Sequence, residues 1–167
     1  MTTRTKSSRR AAPDAIELLT TDHKEVKTLF KQYDKLVASD GIEEEKQALA
    51  EQICKMLTVH ATIEEELFYP AARDALGEDA ELVDEADVEH ATAKELIAQI
   101  EGSSPADDHF DAKVKVLGEY IDHHVKEEEG EMFPRAKKSK LDTAALGVAL
   151  STRKEELIAA RSEVTAH

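Results

Sequence analysis

The chain has 167 residues and a formal net charge of −14, with 36 acidic side chains against 22 basic ones. That length suits one domain with a real core, and that charge sets the folded part against phosphate backbones, so nucleic acid is not an expected partner. Cys54 is the single cysteine, which excludes a disulfide framework, a zinc ribbon and an iron–sulfur ligand set, and no apolar run approaches the roughly 20 residues of a membrane span.

The first ten residues carry Arg4, Lys6, Arg9 and Arg10 and no acid. They lack the apolar stretch of a secretory signal. Residues 1–12 are therefore read as a disordered basic tail, and the cytoplasm as the setting. Pro13 suits the first turn of a helix that Ser39-Asp40-Gly41 brings to a close. A second helix runs from about Ile42 to just before Gly77, and a third from about Asp79 to Gly102. Ser104-Pro105 reads as the cap and first residue of a fourth, continuing to about Lys138. Asp142 can cap a fifth, shorter helix ending near Val164. Loops this short make sequential helices antiparallel. The fold expected is all-α: an up-down-up-down four-helix bundle over residues 13–138, followed by a C-terminal helix and tail over 139–167.

The chain also resembles itself. His60-Ala-Thr-Ile-Glu64-Glu65 through Pro70 aligns without a gap on His124-Val-Lys-Glu-Glu128-Glu129 through Pro134. More weakly, Asp22-His23 matches Glu89-His90, with Lys27 and Leu29 against Lys94 and Leu96. Each helical hairpin thus contributes one histidine and then a His-x-x-x-Glu.

The face each histidine occupies carries the chemistry. The first helix has an apolar seam of Ile16, Leu19, His23, Val26, Phe30, Tyr33 and Val37, and the second one of Leu49, Ile53, Leu57, His60, Glu64, Leu67 and Ala71. The third runs Leu82, Ala86, His90, Ala93, Ile97, and the fourth Val114, Leu117, Ile121, His124, Glu128. Steps of three and four define one inward stripe per helix. Each helix spends one core position on a histidine, and two add a glutamate one turn later. An ionised carboxylate in a core costs several kcal/mol unless it is paired or coordinated. In an antiparallel bundle all six side chains also fall at one height, at about 1.5 Å of rise per residue. Two carboxylates and four imidazoles in one layer suit a pair of first-row metal ions with shared carboxylates. The metal site predicted is therefore His23, His60, Glu64, His90, His124 and Glu128.

These residues resemble the hemerythrin-like, or HHE cation-binding, family over about residues 14–138. The resemblance rests on His23, His60-x-x-x-Glu64 with Glu65 and Pro70, His90, and His124-x-x-x-Glu128 with Glu129 and Pro134. It implies two non-haem iron ions joined by an oxo or hydroxo bridge. The four histidines would be terminal ligands, and Glu64 and Glu128 bridging ones. The oxygen carriers of that family use a fifth histidine, four residues from the one on the third helix. Here Ala86 and Lys94 stand at those positions. The site is thus similar to a four-His, two-Glu variant, which implies handling of O2, NO or peroxide in oxidative or nitrosative stress or in iron-centre repair. The alternative is a binding module that carries, stores or senses without turnover, so whether the chain is an enzyme stays open.

Each metal, with two imidazoles and two shared carboxylates, is expected to keep room for a small ligand. Glu65 and Glu129 have two readings, a solvated face or an acceptor for a ligand N–H. His109 and His123 read as surface residues, and Tyr120 as a packed tyrosine one turn before His124. The sequence leaves a monomer and a dimer equally open.

Overall fold

The computed structural model describes residues 12–165, so most of the basic tail lies outside the described residues. Seven α-helical segments are arranged in chain order: α1 (Ala15–Ala38), α2 (Glu43–Ile63), α3 (Tyr69–Leu76), α4 (Glu81–Glu101), α5 (Phe110–Glu127), α6 (Phe133–Lys138) and α7 (Thr143–Thr165). There is no strand among the described residues. None of their helices is long and apolar enough to cross a membrane. A π-helical turn, Glu64–Phe68, joins α2 to α3, and a second, Glu128–Met132, joins α5 to α6. The two joined rods, with α1 and α4, form the four-helix bundle. In it α1 lies against α2 and α5, α4 lies against α2 and α5, and α7 packs outside on α1 and α2.

Asp14 starts α1 with a capping box: its carboxylate accepts from Glu17 N at 2.9 Å, while Glu17 Oε2 accepts from Asp14 N at 3.4 Å. This satisfies two of the helix's orphan donors. Pro13 stands just ahead of the cap and not, as expected, inside the first turn. At the other end Asp40 takes φ 55° to reverse the chain.

The fourth helix starts later than Ser104-Pro105 announces. Asp107 Oδ2 accepts from Ser104 N at 2.8 Å, and Ser104 O accepts from Asp107 N at 2.9 Å. This local pairing closes a turn in place of a first helical turn. Only at Phe110, a buried apolar side chain, does α5 begin.

The π turns are the larger departure. Pro70 and Pro134 have no N–H to give to the carbonyl four residues back, and their rings crowd it. The chain widens one turn instead: Tyr69 N–H bonds Glu64 O, and Phe133 N–H bonds Glu128 O, both five residues apart. The seam is displaced by one residue beyond each turn. Phe68 and Ala72 are buried where Leu67 and Ala71 were expected to be, and Met132, Phe133 and Ala136 continue the fourth rod inward.

Two apolar clusters fill the bundle. One, around Leu19, Ile63, Phe68, Val83, Phe133 and Leu150, sits at the π-turn end. The other, around Val26, Tyr33, Ile53, Ile97, Phe110 and Leu117, fills the opposite end. A single polar layer lies between them.

Candidate metal centre

The layer consists of the six residues the seams pick out. His23, His60, His90 and His124 are buried, and Glu64 and Glu128 are 0% and 2% exposed. They fall into two groups. In one, donor atoms of His23, His60, Glu64 and Glu128 lie within 4.8 Å of one another; in the other, those of Glu64, His90, His124 and Glu128 do. Both glutamates belong to both groups. Glu64 Oε1 lies 2.5 Å from His60 Nε2 and 3.8 Å from His90 Nε2. Glu128 reaches His23 Nε2 through Oε1 and His124 Nε2 through Oε2, each at 3.2 Å. The imidazoles mirror this division: the His23 and His60 rings meet edge-on at 4.9 Å, and those of His90 and His124 at 5.0 Å.

Several of the inward atoms converge without hydrogen bonds. His23 Nε2, both oxygens of Glu64 and Glu128 Oε1 are buried and have no hydrogen-bond partner. Such groups cost free energy unless something occupies the space between them. The donor set, imidazole nitrogen and carboxylate oxygen, is that of a first-row metal pair, so these residues fit one.

Three of the ring nitrogens that face outward are hydrogen-bonded, and the fourth, His90 Nδ1, faces a carboxylate at ion-pair distance without a hydrogen bond. His60 Nδ1 is 2.9 Å from Asp22, His124 Nδ1 3.1 Å from Glu89, His23 Nδ1 3.2 Å from Glu129 and His90 Nδ1 3.5 Å from Glu65. A carboxylate on Nδ1 fixes the ring's orientation and leaves Nε2 free to bind inward. The internal repeat explains the pattern. The acid before each hairpin's first histidine holds that hairpin's second histidine, as Asp22 holds His60 and Glu89 holds His124. The acid after each shared glutamate reaches the other hairpin. Glu129 is therefore placed as an acceptor, the second of its two readings, whereas Glu65 faces His90 without a hydrogen bond and accepts from Lys94. Asp22 and Glu89 were not singled out from the sequence, although they align in the repeat beside His23 and His90.

Tyr69 was missed altogether. Its hydroxyl donates to Glu128 Oε2 at 2.6 Å and lies 3.0 Å from His90 Nε2 and 3.4 Å from His124 Nε2. Phe133 occupies the equivalent place in the repeat and stacks on His23 with its ring centre 5.9 Å away. An α-helix would turn residues five apart by roughly 140° from each other. The wider π turn brings Glu64 and Tyr69 onto one face, and likewise Glu128 and Phe133. The two halves of the centre are thus alike in nitrogen and carboxylate but differ in the aromatic residue beside them: a hydroxyl on one side, a bare ring on the other.

Protons bind where cations would. Burial disfavours a charged His60, yet Glu64 and Asp22 outweigh it and hold its pKa well above the ordinary imidazole value. His124 is raised in the same way to about 9, burial being overcome by Glu128, Glu64 and Glu89. Burial would raise Glu128, but His124 and His23 pull it well below the usual carboxylate range. Asp22 is lowered too, His60 and Lys154 overcoming its burial. Burial, then Glu128 and Glu64, raise Tyr69, so the metal-free phenol keeps its proton.

An apolar cavity of about 30 Å³ adjoins the layer on the side away from the π turns. It is lined by all four imidazoles with Val26, Met56, Leu57, Ile97, Tyr120 and Ile121. Tyr120 contributes its ring to this wall and packs on the apolar cluster there. His109 is exposed at the start of α5. His123 is exposed as well, in an outer group with Glu89 and Glu127.

A helical bundle whose buried layer presents nitrogen and oxygen donors to two shared points is a metal-binding domain. Comparisons with known proteins agree. Residues 14–136 match the model of the hemerythrin HHE cation binding domain, and the chain belongs to that family. It is 34% identical over 119 residues to a DNA nickase of Nostoc sp. (strain PCC 7120 / SAG 25.82 / UTEX 2576), covering 70% of this chain and 32% of the relative. The chain thus spans about a third of that relative's length. Among solved structures it resembles a hemerythrin HHE cation binding domain-containing protein of Mycobacterium kansasii. The TM-score is 0.70 at 23% identity, over 87% of each chain, a likeness that concerns the fold.

Proposed function

We propose that the chain is a di-iron protein that reacts with small oxidants: oxygen, nitric oxide or peroxide. His23 and His60 would hold one iron, His90 and His124 the other, with Glu64 and Glu128 shared between them. Bound there, the iron pair would supply Lewis acidity and two one-electron couples. The single observation that carries the reading is that both buried glutamates face both histidine pairs while three of their four oxygens lack hydrogen bonds.

The residues around the pair define what it can meet. The cavity of about 30 Å³ over the imidazoles holds one molecule the size of water or a diatomic, and its apolar lining favours an uncharged guest. Asp22, Glu89 and Glu129 orient three of the rings from outside, and Glu65 faces the fourth at 3.5 Å. The Tyr69 hydroxyl can hold or pass a proton beside Glu128 Oε2, at 2.6 Å. Phe133 offers no ligand atom on the His23–His60 side, which makes that half the open one. On this reading the His23–His60 half would be the more open one, where the sequence expectation had both metals open.

Reversible oxygen carriage is the alternative. The third helix offers Ala86 and Lys94 in place of a further histidine, and Tyr69 brings a proton donor to the pair; both favour onward reaction over storage of an oxygen adduct. The nicking of DNA named for the Nostoc relative is not carried over, because the match spans a third of that protein and a net charge of −14 repels phosphate. The buried Cys54 thiol is pushed up to about 12 by burial and by Glu101 and Glu51, which keeps it protonated and unreactive. Stopped-flow mixing of the anaerobic, reduced, iron-loaded protein with oxygen and then with hydrogen peroxide tests the reading. Oxidation by oxygen that argon does not reverse, and peroxide consumption above that of free iron, are expected. A visible absorption that comes and goes with oxygen would restore the carrier.

A further inference from the structure

Of the four carboxylates that face the imidazoles from outside, Asp22 is the most deeply buried, at 3% exposure. Glu129 and Glu65 reach solvent in part, and Glu89 does so less. A carboxylate withdrawn from water needs a counter-charge near it, and a metal-bound imidazole offers Asp22 only a neutral N–H. The counter-charge comes from outside the bundle. Lys154 of α7 lies with Nζ 2.5 Å from Asp22 Oδ1, while Asp22 Oδ2 holds His60 Nδ1 at 2.9 Å. Lys154, Asp22 and His60 form a line from the C-terminal helix to the centre.

Several contacts seat α7. Leu150 is fully buried in the cluster beside the polar layer, with Leu146 and Leu157 packed against it. At Gly147 a side chain would run into the backbone of Pro13 and Asp14, so α7 comes close to the start of α1. Arg153 pairs with Glu66 in the π turn at 2.8 Å. Lys154 is thus delivered to Asp22 by a helix fixed through other contacts. On the other half of the centre, Lys94 meets Glu65, which faces His90, but that lysine belongs to α4 itself and is half exposed.

We propose that Lys154 is a positioning residue for the His23–His60 half of the metal centre: through Asp22 it orients His60 and keeps that half's metal bound. This rests on the two-metal reading above. It gives α7, which contributes no ligand, a part in the centre. It also makes the two metals unequal in a defined sense, since one is held through a helix outside the bundle.

The test uses the full-length protein loaded with ⁵⁷Fe, challenged with a chelator in excess, and follows iron release together with the Mössbauer spectrum. Lys154→Met keeps the aliphatic stem and removes the charge. One iron should then leave about 10- to 100-fold faster, the loss typical of an outer partner. The quadrupole doublet of one iron should change while the other stays put. Lys154→Arg should restore both signals, and Lys46→Met, which removes a lysine charge at the far end of the bundle where it pairs with Asp111, should release iron as wild type does. Asp22→Asn should reproduce the defect even if Lys154→Met fails to fold. Where both variants fold, the double variant should be no worse than either single one. Wild-type release of both irons from Lys154→Met, or from Asp22→Asn if that is the variant that folds, overturns the proposal. So does equal acceleration of both irons with a lowered Tm, which marks a general loss of stability. A wild-type protein that never takes up two irons refutes the two-metal reading first, and this proposal with it.

Discussion

Without metal, the centre is held together by protons, and alkali should therefore weaken the apo protein. His124 has a folded pKa of about 9 against an ordinary 6.5. A group raised in the folded state stabilises it fully below the unfolded pKa, and that stability is lost as pH climbs through the folded value. The difference of about 2.5 units corresponds to about 3 kcal/mol, all of it surrendered between roughly pH 6.5 and 9.5. His60 is displaced in the same direction and adds to the loss. Glu128 and Asp22 are lowered, so their contribution is present above the usual carboxylate pKa and disappears on acidification. Apo stability should accordingly peak between about pH 5 and 6.5. Urea denaturation of the metal-free protein at pH 6.5, 8 and 9.5, followed by circular dichroism, measures the alkaline arm. Metal removes the need for those protons, so the metal-loaded protein should hold its stability over the same range and the gain on loading should grow with pH. Apo stability that stays flat or rises from pH 6.5 to 9.5 would refute the reasoning.

Replacing Glu64 or Glu128 with Ala should cost at least one metal per chain by elemental analysis, whereas His109→Ala should leave the metal content unchanged. Tyr69→Phe makes the two halves alike and removes a buried bond to a carboxylate. It should lower the stability of the apo protein by about 1.5–3 kcal/mol in urea. In the loaded protein it should slow peroxide consumption without changing metal content. Leu150→Ala should cost about 2–5 kcal/mol through the cavity it leaves under α7, read as a fall in Tm.

The six core donors were legible in the sequence because they break a rule: a charged or polar side chain on an apolar seam stands out, and four seams broken at one height leave few explanations. The four-helix bundle came from the same seams and from the short punctuation between them. Of the outer carboxylates, Glu65 and Glu129 stood out beside the core glutamates with two readings open, but Asp22 and Glu89 were not legible. Asp22 and Glu89 sit next to a histidine in sequence yet serve a histidine on another helix, and a neighbour across the bundle leaves no periodic trace. Tyr69 was hidden for a different reason. A seam drawn at 3.6 residues per turn leads from Glu64 to Leu67, and only the π turn brings Tyr69 round instead. Pro70 and Pro134 were the available signal: a proline ten residues after each histidine, inside a continuing helix, demands a widened turn. The late start of α5 had its own cue in Asp107, which pairs with the Ser104 N–H before any helix can form.

The central claim is that two irons share Glu64 and Glu128. Elemental analysis of ⁵⁷Fe-loaded protein, with its low-temperature Mössbauer spectrum taken in an applied field, tests it most directly. Two irons per chain are predicted in the oxidised state, coupled to a diamagnetic ground state. One iron per chain, or two that behave as isolated paramagnets, would contradict it.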